Sequence, residues 1–274
     1  MLDRFECYEL CVQSPADVCE FLRALHGGEP IVLREDFCGT AAVGARWVLD
    51  GAERGGRAVC VDIDAEALDR ARERVARELP APLRGRVELV RRDCTQAGSP
   101  SGDAPGGGAD VIFVGNFSVG YLRTRAELVR YLRVSRERCE RGGRARGGVF
   151  VCDTYGGAGA FKLGGVVRKH PGPSGETVHY TWVHEEADAR TGMVVNTVSF
   201  RVEKDGEVVA EWPRAFEYRW RLWSIAEVRD AMEEAGFVRT GVYADVSLSD
   251  GQAAREAGAA ELGEDWTVLV AGFT

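Results

Sequence analysis

Five apolar runs in this chain each end in a residue that can accept or donate hydrogen bonds: Asp36, Asp62, Asp93, Asn116 and Asp153. The first run, 31–36, breaks into the small-residue turn Cys38-Gly39-Thr40-Ala41-Ala42 and resumes as a helix to about Leu49. Gly39 can take φ > 0 without a Cβ penalty, so backbone can approach a ligand there, and the helix that follows opens with free N–H groups and the positive end of its dipole. The second run, 58–63, reaches Asp62 and Asp64 about twenty residues later. In doubly wound sheets an acid at that place accepts hydrogen bonds from a pair of ribose hydroxyls, while the first turn packs on the nucleoside beside it. The pair of turns therefore reads as a nucleoside site. A dinucleotide fingerprint would need two further glycines in the first turn. Their absence argues against a nicotinamide oxidoreductase.

Strands are expected near 31–36, 58–63, 86–91, 110–115 and 148–153, with helices near 40–50, 65–78 and 124–139. Regular alternation of this kind predicts a parallel α/β sheet with helices on both faces and ligands at the carboxyl ends of the strands, where the five residues fall. Ahead of it, 3–27 carries apolar positions at helical spacing, broken at Ser14-Pro15, which predicts two short helices. Beyond 156 the period changes to two: 179–183, 192–202 and 207–218 alternate apolar and polar residues around a turn at 203–207, predicting an antiparallel insertion. Ser224 with Glu227 three residues later starts a helix by a capping box, and 237–246 with 266–273 form a closing hairpin. The domain expectation is a helical lid at 1–30, a core at 31–155, an insertion over the acceptor site at 156–222, and the end of the core at 223–274. Glycine-rich 97–108 and 141–148 are expected as surface loops.

With 274 residues and 45% apolar side chains, the chain is long enough to bury roughly three quarters of its unfolded surface without a metal or disulfide. The formal net charge of −8 opposes a nucleic-acid partner. Arg136, Arg138, Arg141, Arg144 and Arg146 are interleaved with Glu137 and Glu140 and lack aromatic neighbours, as a solvated helix end would. The eight cysteines include no C-x-x-C pair and fall mostly inside elements, the pattern of reduced thiols, so no metal is expected. No run is long enough for a membrane span and the first residues are acidic, which predicts a soluble, cytoplasmic protein, an organelle staying open. A homodimer is compatible with the sequence.

The ordered motifs resemble class I S-adenosylmethionine-dependent methyltransferases, of the small-molecule, glycine N-methyltransferase-like and natural-product type. Glu35 or Asp36 takes the place of the motif I acid and Ala41 that of a glycine; 59–64 resembles motif II, 87–94 the strand and acid that meet the adenine, and 109–118 motif IV. The resemblance implies a Rossmann-like seven-stranded sheet with an antiparallel last strand, carrying the small antiparallel β insertion. It implies S-adenosylmethionine as cofactor, leaving as S-adenosylhomocysteine. Cys38, Gly39 and Thr40 would pass under the methionine part, Asp62 would hold the ribose, Ile63 would lie against the adenine, and Asp93 with Cys94 would meet the adenine edge. Asn116, Phe117 and Ser118 would border the transferred methyl, with Tyr8 and Gln13 as lid residues. Asp64 reads instead as a helix N-cap, and Asp93 has the alternative of a turn former.

Methyl transfer is an in-line displacement that needs alignment and, for some acceptors, a proton acceptor. Tyr121, Asp153 and His179 are the candidate catalytic groups; His184 is a further base, and His26 and His170 read as loop residues. For a small acceptor, Tyr155, Trp182, Arg219, Trp220 and Arg221 are the candidates: arginines to grip a carboxylate, indoles to enclose an alkyl or cationic centre. The bland alternative for 216–223 is an amphipathic strand whose arginines pair with surface acids. A macromolecular methyltransferase is weakened by Asn116-Phe117-Ser118-Val119 standing where many nucleobase and glutamine enzymes carry an Asn/Asp-Pro-Pro-aromatic motif. A non-catalytic cofactor-binding subunit is the reading from another class, motivated by Ala41.

Overall fold

The computed structural model describes residues 2–96, 108–142, 147–246, 254–258 and 261–274. Most of the expected loops 97–108 and 141–148, with Arg144 and Arg146, lie outside the described residues. In chain order the elements are α1 (Arg4–Val12), α2 (Pro15–His26), β1 (Val32–Asp36), α3 (Ala42–Asp50), β2 (Arg57–Asp62), α4 (Ala65–Glu78), α5 (Ala81–Arg84), β3 (Val87–Arg91), β4 (Val111–Val114), a 3-10 turn (Ser118–Tyr121), α6 (Arg125–Gly142), β5 (Val149–Gly157), β6 (Gly164–Pro171), β7 (Thr177–Asp188), β8 (Met193–Lys204), β9 (Glu207–Arg221), α7 (Ile225–Ala235), β10 (Arg239–Tyr243) and β11 (Asp265–Phe273). They divide into two compact units, residues 1–14 with 157–222, and residues 15–156 with 223–274.

The larger unit is built on a seven-stranded sheet in the order β10-β11-β5-β4-β1-β2-β3. β3, β2, β1, β4 and β5 run parallel, and β10 pairs antiparallel with β11. Alternate residues of the strands feed two cores. Ile112, Val114, Phe150 and Cys152 pack under α6 and α7 with Leu128, Leu132, Val228 and Met232. Val111, Phe113, Val149 and Val151 pack under α2 and α3 with Phe21, Leu22, Val43 and Trp47. Helices on both faces are what strands of nearly continuous apolar character require. Local signals place the helix starts: Asp64 caps α4 by accepting from Glu66 N–H (2.9 Å), and Ser224 with Glu227 closes a capping box on α7. Trp223 leads the chain into that helix, its Nε1–H donating to the Leu122 carbonyl (2.9 Å) while its own carbonyl accepts from Thr154 Oγ1 (2.9 Å).

The smaller unit is a four-stranded antiparallel sheet, β6-β7-β8-β9, with α1 on one face. The three expected alternating segments are β7, β8 and β9, each longer than expected. β6 is an addition: Gly164-Gly165 and Arg168-Lys169-His170 give it no apolar alternation, because it is an edge strand exposed along most of its length. α1 starts from an Asp3/Glu6 capping box and buries Cys7 against Val178, Val198, Phe200 and Val202, with Phe5 and Tyr8 edge-on to Phe216.

Candidate functional site

The turn after β1 is unusual backbone. Phe37, Gly39 and Ala41 all have positive φ (57°, 53° and 53°), although only one is glycine. A left-handed non-glycine residue costs about 1–2 kcal/mol, so the turn must be held from outside. The alternation of β1 distributes the holders. Glu35 points with Leu33 toward α3, where its Oε2 accepts from Gly44 N–H (2.8 Å) and from the Cys60 thiol (3.7 Å). It thereby caps a helix whose own N-cap, Ala41, has no side-chain acceptor. Gly44 is glycine because a Cβ would run into Cys60 Sγ. Asp36 points the other way, toward α6, and accepts from Arg34 Nε (2.8 Å) and the Tyr131 hydroxyl (2.6 Å). The alternative between Glu35 and Asp36 thus resolves into two jobs, one on each face of the sheet. Burial pushes the Glu35 carboxyl up to about 7, against the lowering effect of the Gly44 N–H, and raises Tyr131 as well. From α4, Arg74 donates to the Thr40 carbonyl (3.2 Å).

Asp62, at the end of β2, ties this turn to its neighbour. One carboxylate oxygen accepts from Gly39 N–H (2.7 Å), the other from Asp64 N–H (2.9 Å). Burial raises its pKa. The Ile63 N–H acts on the carboxylate as well, which with about four lone-pair sites still keeps acceptor capacity. Beside it Ile63 is 61% exposed, an apolar side chain presented to solvent at the carboxyl edge of the sheet. At Gly39 a Cβ would meet no atom within 4 Å. Asp93 closes a turn, its Oδ1 accepting from the Thr95 N–H (2.9 Å) and hydroxyl (2.7 Å), which is the alternative role foreseen for it. Cys94 is buried, with its thiol directed at the Val61 carbonyl (3.7 Å).

After β4, Asn116 and Phe117 are both left-handed, at φ 56° and 59°. Asp153, at the matching position on β5, accepts from both of their N–H groups, at 2.8 and 2.6 Å. Its carboxyl lies at about 7, because burial outweighs those two N–H groups. Ser118 is buried in the 3-10 turn. Phe117 contacts Tyr155 (ring centroids 4.8 Å apart), and Tyr121 stacks on Phe37 (5.8 Å, 16° between planes), joining this turn to the one after β1. Phe37 did not stand out in the sequence. Its signal is indirect, a bulky residue between a strand acid and the Cys38-Gly39 turn.

In the smaller unit the period of two separates the residues proposed for the acceptor. Trp182 and Trp220 lie on one face with Tyr218 and His184; Tyr218 stacks on Trp220 (4.4 Å, 15°) and on Trp182 (6.3 Å, 25°). Tyr218 shares the parity of Phe216 and Trp220, the signal that should have singled it out. Arg219 and Arg221 have the opposite parity, and Arg219 is paired to Glu217 at 2.8 Å. His179 also lies on the face opposite Trp182, bonded through Nε2 to Glu203 (2.8 Å), with its pKa lowered by burial and by Lys169 and Arg201. Tyr8 packs on Phe216, and Gln13 ends α1, its side-chain Oε1 buried without a hydrogen-bond partner among the described residues. No helix among the described residues is long and apolar enough to cross a membrane.

No family model and no curated protein matches the chain. Solved structures do. DesVI of Streptomyces venezuelae superposes with a TM-score of 0.66 at 19% identity, covering 100% of this chain and 99% of its own. The sugar N-methyltransferase KedS8 of a Streptoalloteichus species gives 0.63 at 18% identity, covering 100% and 93%. CalS10 of Micromonospora echinaspora, an amino pentose methyltransferase solved with S-adenosylmethionine bound, gives 0.62 at 17% identity, covering 100% and 98%. From end to end, this chain has the fold of class I S-adenosylmethionine-dependent methyltransferases.

Proposed function

We propose that the protein transfers a methyl group from S-adenosylmethionine to a small-molecule acceptor. The observation that carries this reading is Asp62: its carboxylate holds the Gly39 turn, keeps acceptor capacity, and stands next to the exposed Ile63. A ribose hydroxyl pair suits such an acceptor, and an adenine would cover the isoleucine. Cys38, Gly39 and Thr40 would line the methionine part, with Asp93 and Cys94 at the base edge and Asn116, Phe117 and Ser118 near the sulfonium. The buried Gln13 Oε1, without a hydrogen-bond partner among the described residues, suits an N–H donor. Bound there, S-adenosylmethionine supplies an electrophilic methyl on a good leaving group.

The chain's own residues then align and shield. Tyr121, stacked on Phe37, and Tyr155, against Phe117, wall the reacting region, and Tyr121 is the candidate to hold or accept the acceptor's proton. For the acceptor we favour a polar amine, because structural neighbours include a sugar N-methyltransferase and an amino pentose methyltransferase. Trp182, Tyr218 and Trp220 suit an ammonium or its alkyl substituents. At Arg219 a carboxylate on the acceptor would have to compete with Glu217.

The test is incubation with methyl-labelled S-adenosylmethionine and a cell extract divided into metabolites and macromolecules, with Asp62→Ala as control. Label in the metabolite fraction is expected, together with roughly a hundredfold weaker cofactor binding by the variant, the effect of losing a buried charged acceptor. Label in protein or RNA would replace the small-molecule reading. Binding without transfer in any fraction would favour a non-catalytic subunit.

A further inference from the structure

Among the described residues, Asn116 and Phe117 are the one pair of successive non-glycine residues with left-handed backbone. Asn116 reaches this region more readily than most residues, but Phe117 does not, so the conformation persists only while something outside Phe117 enforces it. That something is Asp153. Oδ2 accepts from the Asn116 N–H and Oδ1 from the Phe117 N–H, so both oxygens act as acceptors at once. The anion does this best: a protonated carboxyl turns one oxygen into a hydroxyl, a weaker acceptor for the N–H it faces. No charged side chain governs the group, since burial and backbone N–H groups are what act on it.

We propose that Asp153 is a positioning residue and not the proton acceptor: as the anion it locks the Asn116–Phe117 turn, and through it the placement of Phe117, Ser118 and Tyr121. The proposal rests on the methyltransferase reading for its consequence in catalysis, but the lock itself is a property of the chain alone. Taking up a proton would turn one of these oxygens into a weaker acceptor, so a base here would weaken its own lock. Burial raises the carboxyl to about 7 while the two N–H groups lower it; with those N–H bonds lost and the group still buried it would rise further, so the open turn binds the proton more tightly and the lock weakens as pH falls through neutral.

The test uses the full chain, first without cofactor and then titrated with S-adenosylmethionine. Hydrogen exchange of residues 114–121 is followed from pH 6 to pH 8.5, corrected for the intrinsic pH dependence of exchange, in wild type and in Asp153→Asn, whose amide presents one acceptor and one donor as the protonated acid does. Loss of one charge-assisted hydrogen bond predicts about tenfold less protection. Wild type should therefore lose protection of the Asn116 and Phe117 amides by about that factor between pH 8 and pH 6, while D153N stays at the low level throughout. The affinity for S-adenosylmethionine should follow the same two patterns. Wild-type protection that does not change across neutral pH would overturn the lock, and so would D153N amides as protected as those of wild type. The wild-type series decides alone if the variant does not fold. A pH-dependent lock without S-adenosylmethionine binding at any pH would uphold the lock and remove the methyltransferase reading.

Discussion

The turn after β1 and the turn after β4 both force non-glycine residues into left-handed backbone at the same edge of one sheet, yet they are held differently. The first is braced from several sides, by Glu35 through α3, by Asp36 through Tyr131, by Arg74 on the Thr40 carbonyl and by Asp62 on Gly39. In the second, one carboxylate, Asp153, accepts from both left-handed residues, beside the turn's own backbone bonds and the ring contacts of Phe117 and Tyr121. A turn with many charged braces can lose one and keep its shape, at the expense of global stability where the brace is a buried charge. A turn with one charged brace can be switched locally. Distributed charge makes a platform, and a single charge makes a control point.

The largest effect that sharpens this contrast is expected at Asp36. It and Arg34 form a nearly solvent-free ion pair, with side chains 1% and 9% exposed. Removing one partner of such a pair leaves an uncompensated buried charge, so Asp36→Ala should lower the unfolding free energy by about 3–5 kcal/mol, read by chemical denaturation. A loss below 1 kcal/mol would mean that the first turn is not braced through α6.

Next comes the pH dependence of stability from Glu35. Its folded pKa, about 7, is above its unfolded value, so the folded state binds more protons between about pH 4.5 and 7. Stability is therefore present in full below that window and declines as pH rises through it, by roughly 3–4 kcal/mol in total from this one group. Glu35→Gln keeps an acceptor for the Gly44 N–H and should flatten that part of the stability curve. An unchanged curve between pH 5 and pH 8 would show that the carboxyl is not held neutral by burial.

The smallest effect is expected at Ala41, which is both left-handed and completely buried. Ala41→Gly relieves about 1 kcal/mol of backbone strain and forfeits about 0.8 kcal/mol of buried methyl. Denaturation midpoints should move little in either direction. A large gain would show that the brace around the first turn is strained beyond what its neighbours repay.

Much of the layout could be read in advance, for reasons that differ by region. Parallel strands buried on both faces read as near-continuous apolar runs, and helices as 3.6-residue periods, so β1 to β5 and α3, α4, α6 and α7 were all anticipated. Asp64 and Ser224 announced their helix starts because capping is a contact between near neighbours in sequence. β6 was missed because an exposed edge strand carries no alternation. Phe37 is not legible in the sequence because its importance is a stacking contact with Tyr121, 84 positions further along the chain.

What the chain determined by itself was the order of strands and helices, the carboxyl-edge location of Asp62, Asn116 and Asp153, and the two-faced character of β9, since each follows from a local period. What only the tertiary structure decided was the division of labour: Glu35 to a helix cap and Asp36 to a buried ion pair, Asp93 to a turn, Arg219 to Glu217, and Asp153 to two backbone amides. A carboxylate's role depends on which donors and how much solvent surround it, and those are set by strands and helices far apart in sequence.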